Sequence, residues 1–444
     1  MKQFLVDNRV PIFALVFLLP AATSFILSSH ALCQRVGPIK YTERPFQGGR
    51  ICHPLRPFLA LAASTFTMEV DEESMAEIQE PSYSESDRKH MRRALHLAAQ
   101  ALGKTRPNPV VGCVILDQEG VVVGEGFHPK AGQPHAEVFA LKEAGDRARG
   151  GTVYVTLEPC NHHGKTPPCV DALLEAGIKK VVAGMVDPFP LVGGKGLARL
   201  ADNGVEVVVG CEEGKCQALN RPFVHRVQHG TPLGFLPLTY SRQDFVRPAP
   251  ATVQLGDGGK ALEMIDAIVV DFNVKGEGLQ TVAALQTAGL LQDEVVRIVL
   301  ANDLSALPVE WAKHKKASVR KVVLTTSIAG QEAAVEVLEG RGVEVIAMPT
   351  DPLAVGKYMH GLGLLSALWL LCPEGAKRAV KAGVVQDLWI HATLQEADDL
   401  DGVDDPDFLG RQFGRPMKMS VMSCDAVGTK ACLLSLTIDD TATL

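Results

Sequence analysis

His135 and Glu137 stand two apart in "HAEVFALKEAG", and Cys160 and Cys169 bracket "NHHGKTPP". These residue types suit a metal hydrolase. Such a site takes about three protein ligands, leaves a position for water, and needs a carboxylate that moves protons without binding the metal. His135 offers a neutral imidazole nitrogen. Cys160 and Cys169 offer thiolates, the second favoured by the start of the helix it opens. Glu137 falls in the first turn of the helix that begins at His135, so its carboxylate can stand beside the water. A lone His-x-Glu arises often by chance, as do two Cys nine apart. The combination is the specific signal: His-Ala-Glu opening a helix, a strand, then "EPC" and a Cys that opens the next helix.

Regular elements must bring these residues together. "SDRKHMRRALHLAAQALG", with Ser86 and Asp87 as candidate N-caps, carries Met91, Ala94, Leu95, Ala98 and Leu102 at helical spacing. "VVGCVIL" and "VVVGEGFH" flank "DQEG" as a hairpin. A helix over "QPHAEVFALKEAGDRA", a strand "GTVYVTL" and a helix "CVDALLEAG" closed by Gly177 follow. Next come a strand "IKKVVAGMVD", a helix "GLARLADNG" and a strand "VEVVVG". This alternation predicts an α/β sheet with helices on its faces and ligands at strand C-termini and helix N-termini, where the motifs fall.

From Leu233 to Lys260 the chain is rich in Pro, Gly and polar residues, which reads as a linker or an eroded element. A second α/β region follows, with strands "AIVVDF", "VVRIVLAND", "RKVVLTTS", "VEVIAMP", "LLSALWLL" and "DLWIHATL". Helices "GQEAAVEVLEGRG" and "GAKRAVKAG" lie between them, and "EADDLDGVDDPD" reads as a solvated loop.

The 444 residues allow two or three domains, and a net charge of −7 gives no basic field for nucleic acid. The 10 Cys are scattered without regular pairing, which fits a reduced compartment, and most, such as Cys113 in "VVGCVIL", read as core thiols. Residues 1–64 read as a leader: Lys2 and Arg9, a short apolar core from Val10 to Leu19, then a stretch with five Arg/Lys and the single acid Glu43. That pattern resembles a signal peptide joined to a transit peptide near Phe25, as in proteins sent to complex plastids. An ordinary secretory signal or signal anchor is the other reading, which the Cys usage opposes. Residues 65–87 hold acids and neither Lys nor Arg until Arg88, an expected disordered spacer with the mature fold starting near Ser86. The expected organisation is therefore leader 1–64, spacer 65–87, a first α/β domain 88–232, linker 233–264 and second domain 265–440.

His-x-Glu followed by Pro-Cys and a second Cys is the signature of zinc deaminases. With the wide Cys160–Cys169 spacing, "RPNPVVGCVI", "GFHPKAGQPHAEVFAL", "TVYVTLEPC" and "DPFPLVGGKGLARL", residues 88–230 closely resemble the pyrimidine deaminases of riboflavin biosynthesis, the N-terminal half of bifunctional deaminase–reductases. The resemblance implies a cytidine-deaminase-like three-layer domain with a central mixed sheet. It implies one Zn2+ on His135, Cys160 and Cys169, Glu137 as proton shuttle, and substrate contacts from Asn108, His128, Ala136, Asn161, His162, Lys165 and Asp187. Lys165 is the expected phosphate partner, and His163 is expected to be solvent-exposed. Phe189 departs from the family, which usually has Asn there.

The implied reaction attacks C2 of 2,5-diamino-6-(5-phosphoribosylamino)pyrimidin-4(3H)-one with water and releases ammonia. The implied partners are that phosphorylated pyrimidine, a separate reductase and further copies of the chain, with no nucleic acid and no membrane after leader removal. Residues 265–438 resemble a degenerate dihydrofolate-reductase-like domain. "SRQDFVRPAP" and "LWLLCPEG" replace the family's Ser-Leu-Asp-Gly-Lys and Val-Glu-Gly-Gly stretches, so NADPH is not expected. The alternative is a bifunctional enzyme with a working NADPH-dependent reductase.

Overall fold

The structure, a computed structural model, describes residues 83–439 except 163–166, 191, 242–243, 249–259, 273–276, 288–290, 292–293, 309–310, 312–318, 394–417 and 428–430. The leader, most of the acidic spacer, Lys165, His163 and the loop "EADDLDGVDDPD" lie outside the described residues.

Helix α1 (Glu85–Ala99) starts earlier than the spacing predicts. Its N-cap is Ser84 rather than Ser86 or Asp87: the Ser84 side chain accepts from the Asp87 N–H, and the Asp87 carboxylate accepts from the Ser84 N–H. That reciprocal pair is a capping box, with Asp87 as its third residue. Residues 84–87 thus belong to the fold and not to a spacer.

The first sheet runs β2 (Val122–Phe127), β1 (Gly112–Leu116), β3 (Thr152–Val155), β4 (Lys180–Ala183), β5 (Glu206–Val209). β1 is antiparallel to β2 and β3, while β3, β4 and β5 are parallel, so the sheet is mixed as expected. Alternate residues point to opposite faces. Cys113, Ile115, Val153, Val155, Val181 and Ala183 pack under α2 (Ala136–Ala144), α3 (Cys169–Glu175) and α4 (Lys195–Asp202). Val114, Leu116, Tyr154 and Val182 pack under α1 on the other face. These are three layers.

Two helices not anticipated from spacing follow, α5 (Glu213–Leu219) and α6 (Arg221–His229). The second sheet begins at once, with β6 (Leu233–Ser241) and β7 (Asp244–Pro248). Then come β8 (Ala267–Asp271), α7 (Glu277–Thr287), β9 (Val296–Leu300), β10 (Lys321–Thr325), α8 (Glu332–Glu339) and β11 (Val343–Ala347). The remainder is α9 (Pro352–Gly361), β12 (Ser366–Leu370), α10 (Pro373–Lys381), β13 (Asp387–Thr393), β14 (Lys418–Val427) and β15 (Ala431–Asp439). The order is β11-β10-β9-β8-β12-β6-β13-β15-β14, with β7 on β6.

The expected linker 233–264 is corrected at its start, over 233–241: β6 lies between β12 and β13 in the middle of the sheet. Leu236 and Leu238 enter one core while Leu233 and Phe235 enter the other, so the strand is buried on both faces. Pro237 sits opposite Trp389 of β13, and a Pro in an interior strand is rare enough to mislead a reading by punctuation. Among the described residues, no helix is long and apolar enough to cross a membrane.

Candidate metal centre

Two glycines of β2 set where α2 lies. A Cβ on Gly124 would meet the Ala140 carbonyl oxygen at 2.1 Å, and one on Gly126 the Ala136 carbonyl oxygen at 2.4 Å. The helix backbone therefore rests directly on the strand. At its start, His135 occupies the N-cap position in extended conformation and makes no side-chain cap bond, which leaves its ring available. Cys169 is the first residue of α3, and Cys160 lies in the loop after β3.

The three side chains converge. His135 Nδ1 lies 3.5 Å from Cys160 Sγ and 3.4 Å from Cys169 Sγ, and the ligand atoms are all within 4.8 Å of one another. Bond lengths of about 2.05 Å to nitrogen and 2.3 Å to sulfur give a tetrahedral zinc site an N···S edge of about 3.6 Å. The observed edges match it, so the donor set fits zinc. Among the described residues this is the sole His, Cys, Asp or Glu cluster able to hold a metal. The Cys160 sulfur also accepts from the Cys169 backbone N–H at 3.3 Å. Bonds from the Cys169 thiol and from His135 hold the Cys160 thiol well below its ordinary range, and the same bond to Cys160, with burial, raises Cys169.

Glu137 is buried, and its Oε2 has no hydrogen-bond partner. Burial pushes its carboxyl up to about 7, against a bond from its own backbone N–H. An orphaned carboxylate oxygen two residues beyond the convergent imidazole marks where a reacting water or amine belongs.

Around this centre, Asn108 Nδ2 lies 3.2 Å from His128 Nε2, and His128 Nδ1 lies 3.0 Å from the Pro134 carbonyl oxygen. With Nδ1–H donating to Pro134, Nε2 accepts from Asn108. The neutral ring is favoured by burial, which lowers the His128 pKa despite the Pro134 bond. The His128 and His135 rings meet edge to face at 5.3 Å. Ala136 is fully buried.

On the opposite side, Asn161 accepts from Arg199 Nη1 at 2.8 Å and donates to the Lys195 carbonyl at 3.4 Å. His162 is exposed. Asp187 is half-buried, and burial raises its carboxyl, while the bond from the Phe189 N–H acts the other way. Phe189, the departure from the family pattern, is 43% exposed and donates its N–H to Asp187 Oδ1 at 2.9 Å.

Two further residues emerge that the motifs did not single out. Glu158, in "EPC", is buried and accepts four backbone N–H groups, from Asp187, Gly194, Gly196 and Leu197. Arg199 bridges Asn161 and, at 2.5 Å, the Asp171 carboxylate. "EPC" was visible in the sequence, but the partners that give Glu158 its role were not. Cys113 is a core thiol, as expected.

In the second domain, Cys372 N-caps α10, its sulfur accepting from the Gly375 N–H at 3.3 Å and its thiol donating to Asp271 Oδ2 at 3.4 Å. This is the "LWLLCPEG" stretch.

A three-layer mixed α/β sheet that gathers one His and two Cys beside a buried Glu is the framework of a zinc-dependent hydrolytic deaminase. Residues 84–185 match the family model for the cytidine and deoxycytidylate deaminase zinc-binding region. The riboflavin biosynthesis protein RibD of Synechocystis is 40% identical over 352 residues, 77% of this chain and 94% of the relative. The chloroplastic riboflavin biosynthesis protein PYRD of Arabidopsis thaliana is 40% identical over 287 residues, 63% of this chain and 66% of the relative. The solved RibD of Acinetobacter baumannii (form 1) is similar in fold, with a TM-score of 0.61 at 28% identity, covering 80% of this chain and 99% of the other. The chain belongs to the RibD family of riboflavin-biosynthesis deaminases.

Proposed function

We propose that the chain hydrolyses the 2-amino group of 2,5-diamino-6-(5-phosphoribosylamino)pyrimidin-4(3H)-one, giving 5-amino-6-(5-phosphoribosylamino)uracil and ammonia. The observation that carries this reading is the unpartnered, buried Glu137 Oε2 beside the converging His135, Cys160 and Cys169. Zinc on those three side chains supplies a Lewis acid that eases ionisation of water. As the water oxygen bonds to C2, Glu137 accepts its proton at Oε2 and passes it to the ring nitrogen; it then carries the remaining hydroxyl proton to the amine as the C2–N bond breaks and ammonia leaves. Burial raises this carboxyl, which strengthens it as the acceptor of the water proton. Asn108, His128, the backbone at Ala136, Asn161, His162 and Asp187 hold the pyrimidine, and Lys165, outside the described residues, meets the phosphate.

The deaminase domain on this reading spans about 83–230, and the second domain starts at Leu233. That domain is a reductase relative without its activity. The Asp271 carboxylate and the Cys372 cap take up the start of α10, where a cofactor pyrophosphate would need free backbone N–H groups. A separate reductase then consumes the product. The leader, together with the chloroplastic relative, supports a plastid address, and the joined signal and transit segments support a complex plastid.

Purified full-length protein tests the reading by ammonia release and metal analysis. Glu137→Ala should keep one zinc and lose turnover; equal release by wild type and variant would remove Glu137 from its role. Oxidation of NADPH on the deaminated product would instead establish the bifunctional alternative.

A further inference from the structure

The turn that carries Asn108 is fastened to the second domain on both flanks. Residues 105–108 close on themselves: the Asn108 N–H donates to the Thr105 carbonyl at 2.8 Å, and Thr105 Oγ1 to the Asn108 carbonyl at 2.9 Å. Arg106, inside this turn, reaches the second domain. Its Nη1 meets Asp266 Oδ1 at 3.3 Å, and its Nη2 donates to the Glu294 carbonyl at 2.6 Å. Asp266 is itself buried and pinned at the start of β12, accepting from the Leu365 N–H at 2.7 Å and donating its own N–H to Ser366 Oγ at 3.1 Å.

Past the turn, Val110 exchanges two 2.9 Å bonds with the Asn220 side chain. The next residue, Arg221, forms a two-pronged pair with Asp387 of β13 at 2.5 and 2.8 Å. Asn108 then passes this constraint to His128, and His128 to Pro134 and the His135 ring.

We infer that the second domain acts as a positioning element for the deaminase: Arg106 and Asp266 together hold the Asn108 turn, and through His128 the entry to α2, in the geometry that receives substrate. The inference rests on Asn108 being a substrate contact. It gives the reductase-like domain a role in the deaminase reaction that needs no cofactor. A planar guanidinium shared between a carboxylate and a carbonyl fixes direction as well as distance, which a purely apolar seam would not do.

The test uses the full chain with Arg106→Gln, Asp266→Asn, the double variant and Asn108→Ala, reading KM and kcat for the diaminopyrimidine, zinc content and thermal midpoint. The expected result is a KM raised about five- to tenfold by each seam variant, the size of one ordinary hydrogen bond, with kcat within about twofold. Zinc stays at one per chain, and the double variant is no worse than the worse single one, because both remove one coupling. An unchanged KM in Arg106→Gln and Asp266→Asn, beside a raised KM in Asn108→Ala, overturns the inference alone. An unchanged KM in Asn108→Ala overturns the contact reading and this inference with it. A lowered midpoint with zinc loss and strictly additive effects would mean a structural seam only, and also overturns it. Should Asp266→Asn fail to fold, Arg106→Gln, whose side chain is 26% exposed, decides on KM alone.

Discussion

Glu158 Oε2 accepts the backbone N–H of Asp187 at 3.1 Å, so the residue two before Cys160 holds the segment that carries Asp187. The same carboxylate accepts from Gly194 at 2.7 Å and Gly196 at 2.8 Å, tying the segment to the start of α4. A buried acceptor facing only N–H groups suits an anion and tolerates no donor.

Glu158→Gln tests this directly. The amide NH2 must face one of those N–H groups, leaving donors opposed and unsatisfied at a cost of about 1–3 kcal/mol. The expected outcome is a lower thermal midpoint and a KM raised several-fold, because Asp187 and its neighbours lose their anchor. Zinc content by atomic absorption should stay at one per chain. A variant with wild-type midpoint and KM would show that the clamp is dispensable.

Metal removal should expose the cost of burying Glu137. Without zinc its carboxyl sits near 7, above the 4.5 of an exposed glutamate. A raised folded-state pKa means that the contribution is fully present below about 4.5 and is lost as pH rises through 7. Chelated protein should therefore lose stability between those pH values, relative to chelated Glu137→Gln, by up to about 1.4 kcal/mol per pH unit. Zinc should restore the wild type at neutral pH by binding the folded state and favouring the carboxylate. Denaturant titrations at pH 5 and 7, with and without chelator, read this. Parallel curves for the two apo proteins would contradict it.

A second pH effect is expected far from the metal. His225 of α6 is buried, stacks on His229 at 4.4 Å between ring centres, and meets Thr231 Oγ1 at 3.4 Å. Burial, with His229 and Arg221 adding, lowers its pKa to about 3. Here the sign reverses: the contribution is present above the ordinary 6.5 and is lost as pH falls toward 3. Between pH 6.5 and 5 the wild type should lose about 2 kcal/mol more than His225→Asn. Equal losses in urea titrations would show that the ring is not held neutral.

These clusters mark what local sequence can and cannot reveal. The β1–β2 hairpin and α2 were legible because period-two and helical patterns surround clear turns, and the metal ligands because rare residue types sit at element ends. β6 was hidden by Pro237, which punctuates a sequence even when tertiary packing buries the strand on both faces. α6 is not announced by an apolar stripe, because its single buried residue is His225. Glu158 and Arg199 act on partners 28 to 39 residues away along the chain. Spacing within a motif holds no record of such contacts.

Phe189 offers the sharpest test of departure from the family pattern. Its ring is 43% exposed, and only its backbone is engaged, donating to Asp187 Oδ1 and accepting from Val192 and Gly193. Replacing the side chain should thus leave stability within about 0.5 kcal/mol, as for surface changes generally. An Asn at this position regains the amide that the family resemblance leads one to expect. Phe189→Asn should lower KM by up to about tenfold, the worth of one hydrogen bond, with kcat unchanged, since the bond would form in ground and transition states alike. A fall in kcat without a change in KM would place Phe189 in the chemistry instead. An unchanged KM would mean that this chain has already replaced the missing contact from another residue.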